Sequence, residues 1–397
     1  MNSYPYDIVT VGGGMGASAL AAAMARRGLR VLILEKESQF KDRVRGEYIV
    51  TWGVAEAKEL GIDHTLMSSC GTMVPFVDMG FGPRNLLETT AQQMPAMSFF
   101  HPEMQETLLQ EAVRAGAEVR RGTNVTAVQA GTEPSVVTSQ NGREERILAR
   151  LIVIADGRGS AARKWAGFAT STDAHPFHFA GVLLTGVSAR RDMAQFVFNP
   201  EFGLVGGLVP QSKDRFRAYL GYPTDGNFTL NGGGKLATFF SESQKIGPLF
   251  ADCYTGAKSL GPLASFDANY VWVNHPYKDG VAMIGEAAAV SDPSFGQGMS
   301  LTLRDARELR DAIISDPDWD RAGHRYAERH DKYFLTMHKV SCWLRKLFQE
   351  QGPEADARRQ RAMPKIVEDM TRVPDHLFGG PELPADETVR ARFFGEV

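Results

Sequence analysis

Asp7-Ile8-Val9-Thr10-Val11 runs straight into Gly12-Gly13-Gly14-Met15-Gly16-Ala17, and the apolar stretch that follows ends in Leu32-Ile33-Leu34-Glu35. The first run reads as a buried strand, the Ala-rich stretch as a helix, and the second run as a parallel strand ending in a carboxylate. Gly12 supplies the tight turn, and Gly14 lets the backbone approach a pyrophosphate. Ala17 takes the third position, where a small residue allows helix and strand to pack closely. Unpaired N–H groups and the dipole of the helix start favour an anion there. Glu35 falls about 20 residues on, the spacing of a carboxylate that accepts from a ribose 2′-OH. The segment is a βαβ unit for a dinucleotide. A plain Gly-rich turn accounts for neither the acid nor the small-residue helix.

The rest of the chain must build around that unit. Its 397 residues exceed the ~250–300 that one core usually holds, so two lobes are expected. Hydrophobic residues at 43% and charged residues at 23% are ordinary for a globular protein. A net charge of −3 with no long basic run argues against a nucleic-acid surface. Cys70, Cys253 and Cys342 show no metal or redox spacing, which fits reduced thiols in a cytoplasmic protein. The start enters the first strand directly, without the pattern of a signal peptide. No apolar run approaches the ~20 residues of a span, so no integral membrane association is expected. The sequons at Asn124 and Asn227 read as chance matches.

Lys41–Glu47 reads as a charged loop, and a helix is expected from Thr51 to Leu60. Residues 72–97 read as a small hairpin, and 102–115 have helical spacing with Met104, Leu108, Ala112 and Val113 on one face. Strands are expected around 118–120, 125–128 and 146–155. A string of further candidates at 177–187, 195–198, 203–208 and 215–222 has the character of an antiparallel sheet. A last buried strand, 281–284, precedes a Gly-rich loop, a helix near 299–314, a long helix from about Trp319 to Gln349, and a polar tail. The expected architecture is α/β: a discontinuous Rossmann-like nucleotide domain (1–71, 98–170, 276–350), an inserted antiparallel β-sheet substrate domain (72–97, 171–275) and a C-terminal segment (351–397). Asn231-Gly232-Gly233-Gly234-Lys235 lacks the ending of a phosphate loop and reads as a surface turn. The stripe Tyr326, Tyr333, Met337, Val340, Trp343, Leu344, Leu347 and Phe348 reads as a packed face, with a membrane-surface face as its alternative.

Two further signatures repeat the strand-end acid. Ile152-Val153-Ile154-Ala155-Asp156-Gly157 places Asp156 at the carboxyl end of a strand, where open α/β sheets bind ligands. Ala282-Met283-Ile284-Gly285-Glu286 does the same for Glu286, before Ser291-Asp292-Pro293-Ser294-Phe295-Gly296-Gln297-Gly298 opens a helix.

In this order the motifs resemble the single-component, group A FAD-dependent aromatic monooxygenases of the p-hydroxybenzoate hydroxylase-like family. The resemblance spans roughly residues 5–350 in element order. It implies that Gly12, Gly14 and Glu35 hold the ADP half of FAD, with further cofactor contacts at Gly16, Ala17, Lys36 and Val125. It also implies that Arg45 lies between the two halves of FAD, and that Asp156 with Gly157 serves FAD and the nicotinamide donor. Glu286 falls at the ribityl or pyrophosphate region. Pro293, Gly296, Gly298 and Met299 fall along the flavin ring and are the residues nearest the chemistry. The chain departs from the family with Glu286 where Asp is usual, Ala289 where His often follows, and His101 where Arg or Gln often touches FAD. The implied reaction is hydroxylation of an aromatic or polyketide-like small molecule through a flavin C4a-hydroperoxide, with NADH or NADPH as reductant and O₂ as co-substrate. A flavin-dependent reductase or dehydrogenase, a halogenase (whose W-x-W-x-I-P segment is missing) and a non-catalytic FAD-binding protein are the alternatives on this scaffold. His178, Tyr219, Tyr222 and His275 read first as ordinary packing or surface residues, with a substrate base as the alternative, and Trp272 and Phe179 read first as core, with a pocket wall as the alternative. The pocket itself is expected where the inserted sheet meets the flavin.

Overall fold

The computed structural model describes residues 4–44, 46–140, 142–224, 229–230 and 234–397. Residues 227 and 228 of one sequon, and 231–233 of the Gly-rich turn, lie outside them.

The opening unit forms as expected: strand Tyr6–Val11, helix Met15–Ala25 and strand Val31–Glu35. Tyr6–Val11 pairs in parallel with Val31–Glu35 on one side and Arg143–Ile154 on the other, in register Val9↔Leu32 and Val9↔Ile152. Glu118–Arg121 and Val281–Met283 extend the sheet in parallel at either side. Its central strands are buried on both faces, which is why they read as continuous apolar runs. Ile8, Ile33, Leu151 and Val153 pack under the helices Met15–Ala25, His101–Arg114 and Gly298–Ser315. Val9, Val11, Leu32, Ile152 and Ile154 face a small antiparallel sheet instead.

That second layer includes strand Ser135–Gln140, which the periodicity missed because Ser, Thr and Gln break its apolar pattern. It pairs antiparallel with the first half of Arg143–Ile154, whose second half enters the parallel sheet. One twelve-residue strand thus serves two layers.

The inserted sheet is built on the nine-residue pairing of Phe177–Thr185 with Arg215–Pro223, extended by Leu204–Gln211 and Met193–Asn199. All of these pairs are antiparallel. Alternation sends Ala180, Val182, Ala218 and Leu220 to one face, under Phe239 and Phe250 of two short helices. Phe179 and Tyr219 consequently point the other way. Residues 72–97 divide: Phe76–Asp78 and Pro83–Asn85 form the expected hairpin on the edge of this sheet, while Thr72–Val74 and Ala96–Ser98 join Tyr48–Ile49 in a separate three-stranded sheet.

The long helix is Trp319–Phe348, and its stripe is covered by protein. Tyr333, Met337, Val340, Leu344 and Leu347 share a core with Ala362, Ile366, Leu377, Phe378 and Phe393. The stripe is thus the packed face expected of it, not the membrane-surface alternative. One reading is corrected: residues 351–397 are no polar tail. They form helices Pro353–Glu368, His376–Gly379 and Glu387–Phe393; the first and last expose charge and bury a few or single apolar side chains, and the short middle one is buried throughout. Sparse apolar residues on short helices leave a weak periodic signal, so composition alone suggested solvent. Among the described residues no helix is long and apolar enough to cross a membrane. Phe393 is fully buried in this core, so Phe393→Ala is expected to cost about 3–5 kcal/mol in urea denaturation, in contrast to a polar tail, whose truncation would cost almost nothing.

Candidate active site

The carboxyl ends of the parallel strands open into one cavity of about 570 Å³, walled on its far side by the inserted sheet. The Gly loop forms its floor. Gly12 has φ +100°, and a Cβ there would lie 2.6 Å from the Ala155 carbonyl oxygen, so only glycine fits. Gly14 is different: its φ is −68°, the nearest atom to an added Cβ is Gln105 Nε2 at 3.7 Å, and it borders the cavity. Its smallness leaves room for a ligand rather than for the fold. At Gly16 a Cβ would meet Thr302 Cγ2 at 2.7 Å, so that glycine serves helix–helix packing as well as bordering the cavity. Ala17 is fully buried and does not line it.

Glu35 Oε2 accepts from the Gly13 N–H at 2.7 Å and Oε1 from the Glu37 N–H at 2.8 Å. The carboxylate therefore clamps the Gly loop from the next strand. A carboxylate offers about four lone-pair sites, which leaves capacity for a ribose hydroxyl. Lys36, Val125 and Thr123 border the same end of the cavity. Asp156 accepts from the Ala162 N–H at 3.3 Å through Oδ2, while its Oδ1 is buried with no hydrogen-bond partner among the described residues. A buried carboxylate oxygen left unpaired is costly, and a ligand hydroxyl or ring N–H in the cavity would satisfy it. Gly157 and Glu286 border the cavity beside it. His101 opens its helix and holds the Gly46 carbonyl oxygen 2.6 Å from Nδ1, so it fixes the charged loop against the cavity. Arg45 lies outside the described residues.

Pro293, Gly296, Gly298 and Met299 line the cavity together with Gln297. Helices Met15–Ala25 and Gly298–Ser315 both point their N-termini into it, and neither has a side-chain cap or an acid in its first turn. Two uncapped positive helix ends at one cavity suit a ligand with two anionic regions. Gln297 accepts from Trp52 Nε1 at 3.1 Å and donates to the carbonyls of Phe295 (2.6 Å) and Leu377 (3.2 Å). The C-terminal segment thus reaches directly under the loop.

The far wall carries Phe179, Phe196, Val205, Gly207, Val209 and Phe266, with Tyr48, Glu47 and Tyr219 as polar groups. Tyr219 Oη donates to Glu47 Oε2, and Arg217 Nε lies 3.1 Å from Glu47 Oε1. Arg217 is fully buried and also holds Asp42 at 2.7 Å. Burial pushes Glu47 up despite Arg217, and burial with the Glu47 charge pushes Tyr219 far above a normal phenol. Of the possible bases only Tyr219 reaches the cavity. Tyr222 is buried, accepting from the Leu230 N–H, and His275 pairs with His324 at 2.8 Å. His178 sits against Tyr222, away from the cavity lining, and Trp272 packs on Phe334 and His338 rather than walling the pocket. Glu47 is the residue sequence reasoning passed over. It stood in a charged loop, and its partner is 172 residues away.

Residues 5–340 match the FAD binding domain family. The chain belongs to that family. Its Gly loop, the unpaired Asp156 oxygen and the two uncapped helix ends are groups that suit the anionic and hydroxyl-bearing parts of FAD. Among curated relatives of this FAD-binding chain, rifampicin monooxygenase of Streptomyces venezuelae is 25% identical over 381 residues, covering 91% of this chain and 75% of the relative. Digeranylgeranylglycerophospholipid reductase of Methanocella arvoryzae is 26% identical over 317 residues, 76% of each chain. The solved p-nitrophenol 4-monooxygenase PnpA of Pseudomonas putida DLL-E4 superposes with a TM-score of 0.78 at 17% identity, covering 94% of this chain and 96% of that one, a likeness of fold.

Asp305 braces the third strand end from below: its Oδ2 accepts from the Gly285 N–H at 2.6 Å and its Oδ1 from the Tyr333 hydroxyl. Burial pushes its pKa from 3.8 up to about 6. The folded state therefore keeps a proton that the unfolded chain releases between about pH 4 and 6. This group's contribution is fully present below pH 4 and is lost as pH rises through that window, by about 3 kcal/mol. Asp305→Asn keeps an acceptor for Gly285. Its stability relative to the parent is expected to rise between pH 4 and 7 in urea titrations; a constant difference would disprove the assignment.

Proposed function

We propose that this FAD-binding protein is a monooxygenase that hydroxylates an aromatic or polyketide-like small molecule, with NAD(P)H as reductant and O₂ as co-substrate. The observation that carries the reading is a single cavity running from the Gly loop to an aromatic wall that bears a buried Tyr219–Glu47 pair. The names of rifampicin monooxygenase and p-nitrophenol 4-monooxygenase support oxygen insertion into ring-bearing compounds. Bound FAD supplies the redox chemistry with NAD(P)H and O₂.

The protein's own residues bind, orient and move a proton. The N-terminus of Gly298–Ser315 stabilises negative charge developing at its end of the cavity. Phe179, Phe196, Val205 and Phe266 exclude water and offer a flat substrate one apolar face to lie against. A substrate hydroxyl at Tyr219 Oη gives its proton to Tyr219 as Tyr219 passes its own to Glu47. Arg217 holds the resulting charge distribution in place from the buried side. A carboxylate whose pKa burial has raised is the better base near neutrality.

The test is aerobic turnover of the flavin-loaded protein with a panel of phenols and polyketide aromatics under ¹⁸O₂. Ligand-stimulated NAD(P)H oxidation with label in the product is expected. Reduction of an unsaturated substrate without label would favour the reductase reading that the archaeal relative represents. No oxidation of NADH or NADPH under any condition would leave a binding protein.

A further inference from the structure

Away from the cavity, Asp173, His338 and Cys342 bring three different ligand atoms together. Asp173 ends the short strand Ser171–Asp173, and His338 and Cys342 lie one turn apart on the helix Trp319–Phe348. His338 Nε2 is 3.1 Å from Asp173 Oδ2 and 3.6 Å from Cys342 Sγ, and Sγ is 3.8 Å from Oδ2. An ion at ordinary zinc bond lengths to these atoms subtends angles of about 100°, 112° and 124° between them. Those are three corners of a slightly flattened tetrahedron with one position left open. The side chains of His338 and Asp173 are 17% and 30% exposed, so an ion can enter.

We propose that Asp173, His338 and Cys342 bind a zinc-class divalent ion, with water in the fourth position. One thiolate, one imidazole and one carboxylate form a mixed-softness donor set suited to zinc rather than to calcium or magnesium. Binding breaks the Cys342 S–H bond, forms the sulfur–metal bond and releases the proton to solvent; no electron moves. Arg345 Nη2 lies 3.3 Å from Asp173 Oδ2 and 3.9 Å from Sγ. The second Asp173 oxygen can accept from it once the first is ligated, and its charge eases formation of the thiolate while moderating metal affinity. The ion joins the strand to the helix. That strand pairs with Tyr270–Trp272, which pairs with Ala289–Val290 immediately before the cavity loop. The site is thus a structural clamp two strands from the flavin-ring residues, and not part of the cavity.

The test uses the full-length, flavin-loaded protein, stripped with a chelator and dialysed against zinc alone. Stoichiometric zinc by elemental analysis is expected, with alkylation of Cys342 slowed about tenfold or more; Cys70 and Cys253 are buried and give little background. Cys342→Ser and His338→Ala are expected to lose the zinc while keeping their flavin. Arg345→Gln is expected to retain it. Absence of zinc in the parent, equal zinc in Cys342→Ser, or alkylation indifferent to zinc would each overturn the proposal. The protection measurement on the parent decides the matter even if a variant does not fold.

Discussion

Glu47→Gln is expected to lower turnover of a phenolic substrate by about 10²–10⁴-fold near neutral pH, with flavin content and substrate affinity little changed. The amide keeps the volume and an acceptor for the Tyr219 hydroxyl but cannot take its proton. Raising the pH, so that the substrate arrives already ionised, is expected to restore much of the lost rate. Structural damage would not respond that way. Tyr219→Phe breaks the same path one atom nearer the substrate, and its defect should not add to that of Glu47→Gln, because the two act as one unit. If kcat is unchanged by Glu47→Gln across the pH range, the pair is a structural buttress for Arg217 and the proposed proton route is wrong.

The second large effect is expected at the Gly loop. Gly12→Val forces a β-branched residue into φ +100° and drives its Cβ towards the Ala155 carbonyl oxygen. Backbone strain alone costs about 1–3 kcal/mol, and the displaced loop is expected to weaken FAD retention by about 10–100-fold. Gly14→Ala separates cofactor approach from folding. Its neighbours tolerate the methyl group, so melting of the flavin-free chain should move little while FAD affinity falls. Flavin absorbance after gel filtration, alongside calorimetry of the stripped protein, reads both quantities. Undiminished FAD binding in both variants would place the dinucleotide elsewhere.

Most of the nucleotide half was legible because its requirements are local. A turn at φ +100° needs glycine, a strand buried on both faces needs an apolar run, and an acid at a strand end faces the crevice wherever that strand lies in a parallel sheet. The Ser135–Gln140 strand and the C-terminal cover escaped because their own residues carry weak periodicity. Ser, Thr and Gln interrupt the strand, although its partners are its neighbours in the chain. The cover takes its stability from a core whose other members, Tyr48 and Trp52 among them, lie far along it. Trp272 shows the same limit. An aromatic residue on a strand fits a core position or a pocket wall alike, and packing on Phe334 and His338 decided for the core.

By itself, then, the order of residues determined the βαβ start, the three strand-end acids and hence the cofactor family, since each is written in a few contiguous positions. The fold alone decided which side chains meet: Glu47 with Tyr219 across 172 residues, Gln297 with the backbone of Leu377, and Asp173 with His338 across 165. Such pairs depend on strand register and helix placement, in which one residue of slip turns a side chain to the opposite face.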